Sequence, residues 1–231
     1  MTGGVLFLAG YTNRSKAYAQ AMRWNRLKPD QVLIFGKSSL DQPLNLDLDE
    51  EAILGLRYFV PDLREPLIRT CKDAKWTINY SPHENVNHQD IVRQVNELKP
   101  KLIIYSGYPG QLVKADLLDL GVPILHMHSG WLPEYCGSTT LYYSWLRENE
   151  CAVSAFFLDA KIDNGPIIAR RRYPPPPPGI DIDHLYDGAI RADLLISVLS
   201  ESKLQKINSE GRRRIYYVIH PVLKHLAHSL R

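Results

Sequence analysis

Short apolar runs that alternate with helix-patterned segments limit the fold of this chain more than any other feature. The runs are Val5 to Ala9, Gln31 to Phe35, Lys75 to Tyr80, Leu102 to Ser106, Pro123 to His128 and Ala152 to Leu158, with Ile167 to Tyr173 as a more polar edge strand. Helical patterns cover Ser15 to Trp24, Pro66 to Ala74, His88 to Leu98, Leu112 to Leu118 and Ser138 to Arg147. Pro66 suits a first helical position, where its missing N–H costs nothing. This order makes βαβ units and predicts an α/β fold, doubly wound around a mainly parallel sheet. Leu102 to Ser106 is apolar on both faces, as a strand covered by helices on both sides should be. In such sheets ligands bind outside the carboxyl ends of the strands. The loops after Ala9, Ser106, His128 and Leu158 are therefore expected to carry the chemistry.

A chain of 231 residues buries roughly 70–75% of its unfolded surface without staples. One domain over residues 1–200 is expected, closed by an amphipathic helix at Ile182 to Leu199 with Asp181 or Asp183 near its cap. Residues 201–231 read as a helical extension. The acidic Lys37 to Tyr58 segment reads as a surface excursion or irregular helix, and the prolines Pro174 to Pro178 as a rigid polyproline II connector. A net charge of +3 is too mild to argue for a nucleic-acid partner. Cys71, Cys136 and Cys151 lie far apart without CxxC spacing, which speaks against a disulfide framework or a zinc site and suits a reducing cytoplasm. No apolar run reaches the roughly 18 residues of a membrane span, and Gly4 to Gly10 is too short for a signal sequence, so no membrane partner is expected.

Four segments sit where chemistry is expected. Gly10 to Lys16 joins the first strand to the first helix. Thr12, Asn13 and Ser15 at a helix N-terminus, with Arg14 and Lys16, suit an anion, and equally suit a helix cap with solvated cations. In Leu125 to Pro133, His126 and His128 share one strand face at a carboxyl end. Two histidines so placed would suit a metal, but no third ligand is evident, and no metal is expected. In Leu158 to Pro166, Asp-Asn-Gly-Pro is turn chemistry; its functional reading puts Asp163 beside the histidines, as a carboxylate that orients an imidazole. The last, Ser106 to Gly110, reads as an ordinary tight turn.

His126-Met127-His128, then Leu132-Pro133 and Gly137, then Asp163-Asn164-Gly165-Pro166 resembles the formyltransferases that use N10-formyltetrahydrofolate. That family carries Asn-x-His, then Leu-Pro with a following Gly, then Asp-x-Gly downstream. The resemblance covers Leu102 to Ala169 well and the rest by element order. It implies a Rossmann-like core, N10-formyltetrahydrofolate as co-substrate, and a catalytic trio at His126, His128 and Asp163 that passes the formyl group to an amine. His128 would take the amine's proton, Asp163 would orient it, and His126 stands where the family has an asparagine that offers a donor to the oxyanion. The folate would lie against Tyr108, Gln111, Leu112 and Val113 of one loop and Leu158, Asp159, Ala160 and Lys161 of another.

Family members differ in their acceptor. The roughly 30 residues after Leu199 are too few for an RNA-binding domain with its own core, which counts against an initiator-tRNA acceptor. The first loop lacks the second glycine usual in glycinamide ribonucleotide enzymes, which remain the second reading. The His-Ser-Gly-Trp-Leu-Pro run, Arg171 to Pro178 and Tyr216 to Pro221 look most like enzymes that formylate nucleotide-linked amino-deoxy sugars for surface or flagellin glycans. Thr12 to Lys16 and Trp131 would then meet the acceptor. A homodimer is left open. A non-enzyme alternative is nucleic-acid binding by the basic, aromatic segment from Arg212 to Arg231. Its bland counterpart, a terminal helix packing Tyr217, Ile219, Leu223 and Leu226, is preferred.

Overall fold

A computed structural model describes residues 4–46, 50–208 and 210–229 of the chain. Strands β1 (Val5–Gly10), β2 (Gln31–Phe35), β3 (Ile78–Ser81), β4 (Leu102–Ser106) and β5 (Ile124–His128) pair in parallel, in the order β3-β2-β1-β4-β5. β6 (Cys136–Gly137) lies outside this sheet, and β7 (Cys151–Phe157) and β8 (Ile167–Tyr173) extend it antiparallel beyond β5. Every residue of β1 and β4 is buried, which is why these segments read as continuous apolar runs.

The sheet divides two layers of core. On one face Phe7, Ile34, Ile104 and Met127 meet helices α1 (Asn13–Trp24) and α7 (Asp187–Ser200). On the other, Leu8, Leu33, Phe35 and Ile103 meet Ile91 and Val95 of α4 (Gln89–Leu98). The strand order reverses between β1 and β4, so the crevice expected to hold ligands opens beside Gly10 and Ser106.

Several segments differ from their sequence pattern. The Lys75 to Tyr80 run, which follows helix α3 (Leu67–Asp73), forms a strand only from Ile78. The Leu112 to Leu118 pattern gives one turn, α5 (Ala115–Leu118), because Asn87 ties the backbone of Leu112 and Lys114 to the preceding loop. The Ile182 to Leu199 helix starts as a π-helical turn, Ile182–Tyr186, capped by Asp181, and becomes α-helical at Asp187. Within 37–58 the chain makes a 3-10 turn at Ser38–Leu40 and a short helix α2 (Glu50–Leu54), while residues 47–49 lie outside the described residues.

The extension after residue 200 is not purely helical. Strand β9 (Ile215–Tyr216) pairs in parallel with β6, and helix α8 (Pro221–Ser229) follows. Of the four side chains expected to pack, only Ile219 is buried; Tyr217, Leu223 and Leu226 are exposed, because the backbone at 215–216 is spent on β6. None of the helices among the described residues is long and apolar enough to cross a membrane.

Candidate active site

β5 ends at the site, and its alternation puts His126 and His128 on one face. His128 is buried, and its Nε2 lies 2.7 Å from the Tyr135 carbonyl oxygen. A carbonyl only accepts, so Nε2 carries the proton of the neutral ring and Nδ1 is left bare. Nδ1 faces the Asp163 carboxylate, 3.6 Å from Oδ1. Burial lowers the His128 pKa, while Asp163 and the Tyr135 carbonyl oppose that shift. The ring is therefore neutral at physiological pH, with a lone pair beside a carboxylate that would stabilise its protonated form.

Asp163 is itself held. Its backbone is left-handed, at φ 49°, and its Oδ2 accepts from the Gly137 N–H at 2.7 Å. Gly137 belongs to β6, which pairs with β9. A Cβ on Gly137 would come within 2.1 Å of the Tyr216 carbonyl oxygen, and its φ of +101° favours glycine independently. The C-terminal strand thus helps fix the carboxylate that faces His128.

His126 is flanked by Tyr105 and Phe156, with ring centroids 5.8 Å away in each case. Its pKa falls well below 6.5, through burial first, then Arg14, Arg191 and His128. A neutral imidazole keeps one N–H to donate, as an amide would.

Two cavities meet at this pair. One, of about 260 Å³, is lined by His128, Ser129, Thr140, Tyr142, Asp183, Asp187, Arg14 and Arg191. The other, of about 120 Å³, is lined by His126, Asp163, Tyr105, Gln111 to Val113 and Leu158 to Ile162. His128 faces the first and Asp163 the second, so their contact spans the wall between them.

The structure gathers most of the site residues read from sequence, but not all. Gln111, Leu112, Val113, Leu158, Asp159, Ala160 and Lys161 surround the second cavity. Tyr108 does not reach it: its hydroxyl donates to the Phe35 carbonyl at 3.1 Å and accepts from the Tyr11 N–H, beside Gly36. Arg14 lines the first cavity and donates to the Gly107 carbonyl and the Ser106 hydroxyl. Thr12 caps α1 by accepting from the Ser15 N–H, and Asn13 opens the helix. Ser15 is buried, with its hydroxyl on Ser106.

Lys16 points away from the expected anion site; its buried ammonium donates to the Gln42 and Leu63 carbonyls, at 2.6 and 3.0 Å. The Trp131 ring is met by the Arg170 and Arg172 guanidiniums, 4.3 and 4.4 Å from its centre, and does not line the first cavity.

Sequence reading missed Arg191 and Asp187. Four apart on α7, they pair at 2.8 Å, Arg191 also donates to the Met127 carbonyl, and Asp187 accepts from the Ser129 hydroxyl. Their i,i+4 spacing was visible, but not the packing of α7 against α1 that brings Arg191 beside Arg14. Among the described residues no cluster of three or more His, Cys, Asp or Glu is placed to hold a metal.

Residues 5–188 match the formyl transferase family. A curated relative is the methionyl-tRNA formyltransferase of Trichlorobacter lovleyi, 26% identical over 175 residues that cover 74% of this chain and 49% of that protein. The chain thus spans about half the length of that relative, and less of others. Among solved structures, the fold is shared with the methionyl-tRNA formyltransferase of Clostridium thermocellum, at TM-score 0.57 and 13% identity over 95% of this chain and 74% of that one. It is shared too with a sugar N-formyltransferase of Shewanella sp FDAARGOS_354, at TM-score 0.55 and 12% identity over 97% of this chain and 86% of that one. With that match over most of its length, and with His128 and Asp163 facing each other between two cavities, the chain belongs to the formyl transferase family.

Proposed function

We propose that this protein is an N-formyltransferase that moves a formyl group from N10-formyltetrahydrofolate to the amine of a small anionic acceptor, a nucleotide-linked amino-deoxy sugar. One observation supports an anionic acceptor: Arg14 and Arg191 both line the cavity next to His128, and Arg191 is paired with Asp187. The Asp183 carboxylate on the same wall is engaged by Lys224 and by the Tyr142 hydroxyl. With Asp187 on Arg191 and Asp183 on Lys224, Arg14 is left on this wall with no carboxylate partner among the described residues, and burial with Arg191 nearby lowers its pKa, so an anion would relieve the repulsion.

In this reading the formyl carrier occupies the cavity of Gln111 to Val113 and Leu158 to Lys161, and the acceptor the cavity of Arg14 and Arg191. The amine attacks the formyl carbon from the acceptor side. His128 Nδ1 takes the amine's proton, and Asp163 stabilises the imidazolium that results; such general-base help is typically worth about 10²–10⁴-fold. Negative charge builds on the formyl oxygen, where neutral His126 offers its N–H; loss of such a donor costs about 3–4 kcal/mol. The C–N bond to the carrier then breaks as the His128 imidazolium gives its proton to N10, so the carrier leaves as tetrahydrofolate and the ring returns to its neutral form.

The test is a panel of amines incubated with N10-formyltetrahydrofolate and read by mass spectrometry: nucleotide-linked amino-deoxy sugars, phosphoribosylglycinamide and methionyl-tRNA. A formyl gain on an amino sugar is the expected result. Gain only on phosphoribosylglycinamide or only on methionyl-tRNA reassigns the acceptor, and gain on none defeats the proposal.

A further inference from the structure

Two residues that line the carrier cavity each carry a buried polar atom with no hydrogen-bond partner among the described residues: the Tyr105 hydroxyl and His126 Nδ1. They belong to neighbouring strands. The β4–β5 register pairs Ile104 with Leu125, which places Tyr105 beside His126, and β7 then adds Phe156 opposite His126. Tyr105 and His126 line the cavity, and Phe156 packs against the His126 ring beyond it.

Tyr105 is 4% exposed, and its hydroxyl lies against Gly107, where a Cβ would come within 1.9 Å. Arg14 reaches the Gly107 carbonyl from the acceptor side. The hydroxyl therefore lies on the Gly107 backbone that Arg14 holds from the acceptor side, while the Tyr105 ring neighbours the histidine in the oxyanion position. Burial raises its pKa to about 12, so it is a neutral O–H donor at any working pH. A buried donor without an acceptor costs stability, and proteins leave few of them. Apolar filling would have served the fold better, as Phe156 does two strands away.

We propose that Tyr105 is a formyl-recognising residue: its hydroxyl donates a hydrogen bond to the formyl oxygen of the bound co-substrate, alongside His126. This rests on the formyltransferase reading above. It also accounts for a tyrosine where the apolar side of the sheet would accept phenylalanine. No bond is made or broken by Tyr105; it binds the carbonyl before attack and keeps the bond as charge develops, so it aids both affinity and rate.

The experiment compares two stable folate analogues, one carrying a formyl group on N10 and one without it, titrated by calorimetry into the wild-type protein and Tyr105→Phe. The wild type is expected to bind the formylated analogue more tightly. In Tyr105→Phe that preference should shrink by about fivefold to tenfold, the loss of one neutral hydrogen bond, while the unformylated analogue binds as before. The ligand-free variant should melt at the same temperature or higher, since it no longer buries an unpaired donor. Equal weakening of both analogues, or no change in either, overturns the proposal. A lower melting temperature with the preference intact marks the hydroxyl as structural and also overturns it. If the wild type binds neither analogue, the formyltransferase reading fails and this inference falls with it, an outcome distinct from the others.

Discussion

At the residue scale, the site turns on what each histidine can hold. In the proposed reaction His128 is the base, its ring held by the Tyr135 carbonyl at Nε2 and facing Asp163 at Nδ1. His128→Asn removes the base, and kcat should fall by about 10²–10⁴-fold. His126→Asn keeps an N–H donor and restores the amide found in the family motif, so activity within about tenfold of wild type is expected; activity as low as that of His128→Asn would mean that His126 is the base. Both imidazoles have folded-state pKa values below 6.5, so the unfolded chain binds more protons as pH falls below that value. Stability should be complete above about pH 6.5 and decline as pH falls toward the folded-state values; His126→Asn should make that decline shallower, as read by urea unfolding across pH 5 to 8. Arg14→Ala should raise the acceptor KM by about tenfold to a hundredfold, the worth of a charge-assisted hydrogen bond, with the co-substrate KM nearly unchanged. Equal effects on both constants would remove Arg14 from the acceptor cavity.

At the scale of elements, the unexpected one is the pair β6 and β9, which holds Asp163 through the Gly137 N–H. Gly137→Ala must either displace the Tyr216 backbone or release the pairing, so a loss of about 2–4 kcal/mol is expected together with lowered kcat. Full activity in a variant of unchanged melting temperature would deny that role to β9. The elements that sequence revealed and those it hid differ for physical reasons. β1 and β4 are buried on both faces, so their apolar runs had fixed limits. β9 is two residues long and exposed at Ile215, with too little apolar pattern to register. His126 and His128 could be placed because strand alternation fixes their shared face, and Asp163 because its Asp-Asn-Gly spacing resembles that of the family. Lys16 could not, because its depth depends on the loops of Gln42 and Leu63. Nor could Tyr108, whose ring packs on Phe35 at 5.5 Å, or Arg191, which reaches the site only through the contact of α7 with α1.

At the scale of the whole molecule, the sheet brings two cavities to the carboxyl ends of β4 and β5, with the histidine and carboxylate between them. One cavity is walled by the loops after β4 and β7, the other by α1, α6 (Thr140–Glu148) and α7. That division suits a group transfer in which carrier and acceptor approach from opposite sides and meet at His128. The central claim is that a formyl group crosses this wall. Its most direct test supplies N10-formyltetrahydrofolate labelled with carbon-13 in the formyl group, together with a nucleotide-linked amino-deoxy sugar, and follows the product by mass spectrometry for the wild type and for His128→Asn. The account predicts that the sugar gains one labelled formyl group with the wild type and essentially none with the variant. Label that reaches no amine, or that reaches it equally fast with His128→Asn, would contradict it.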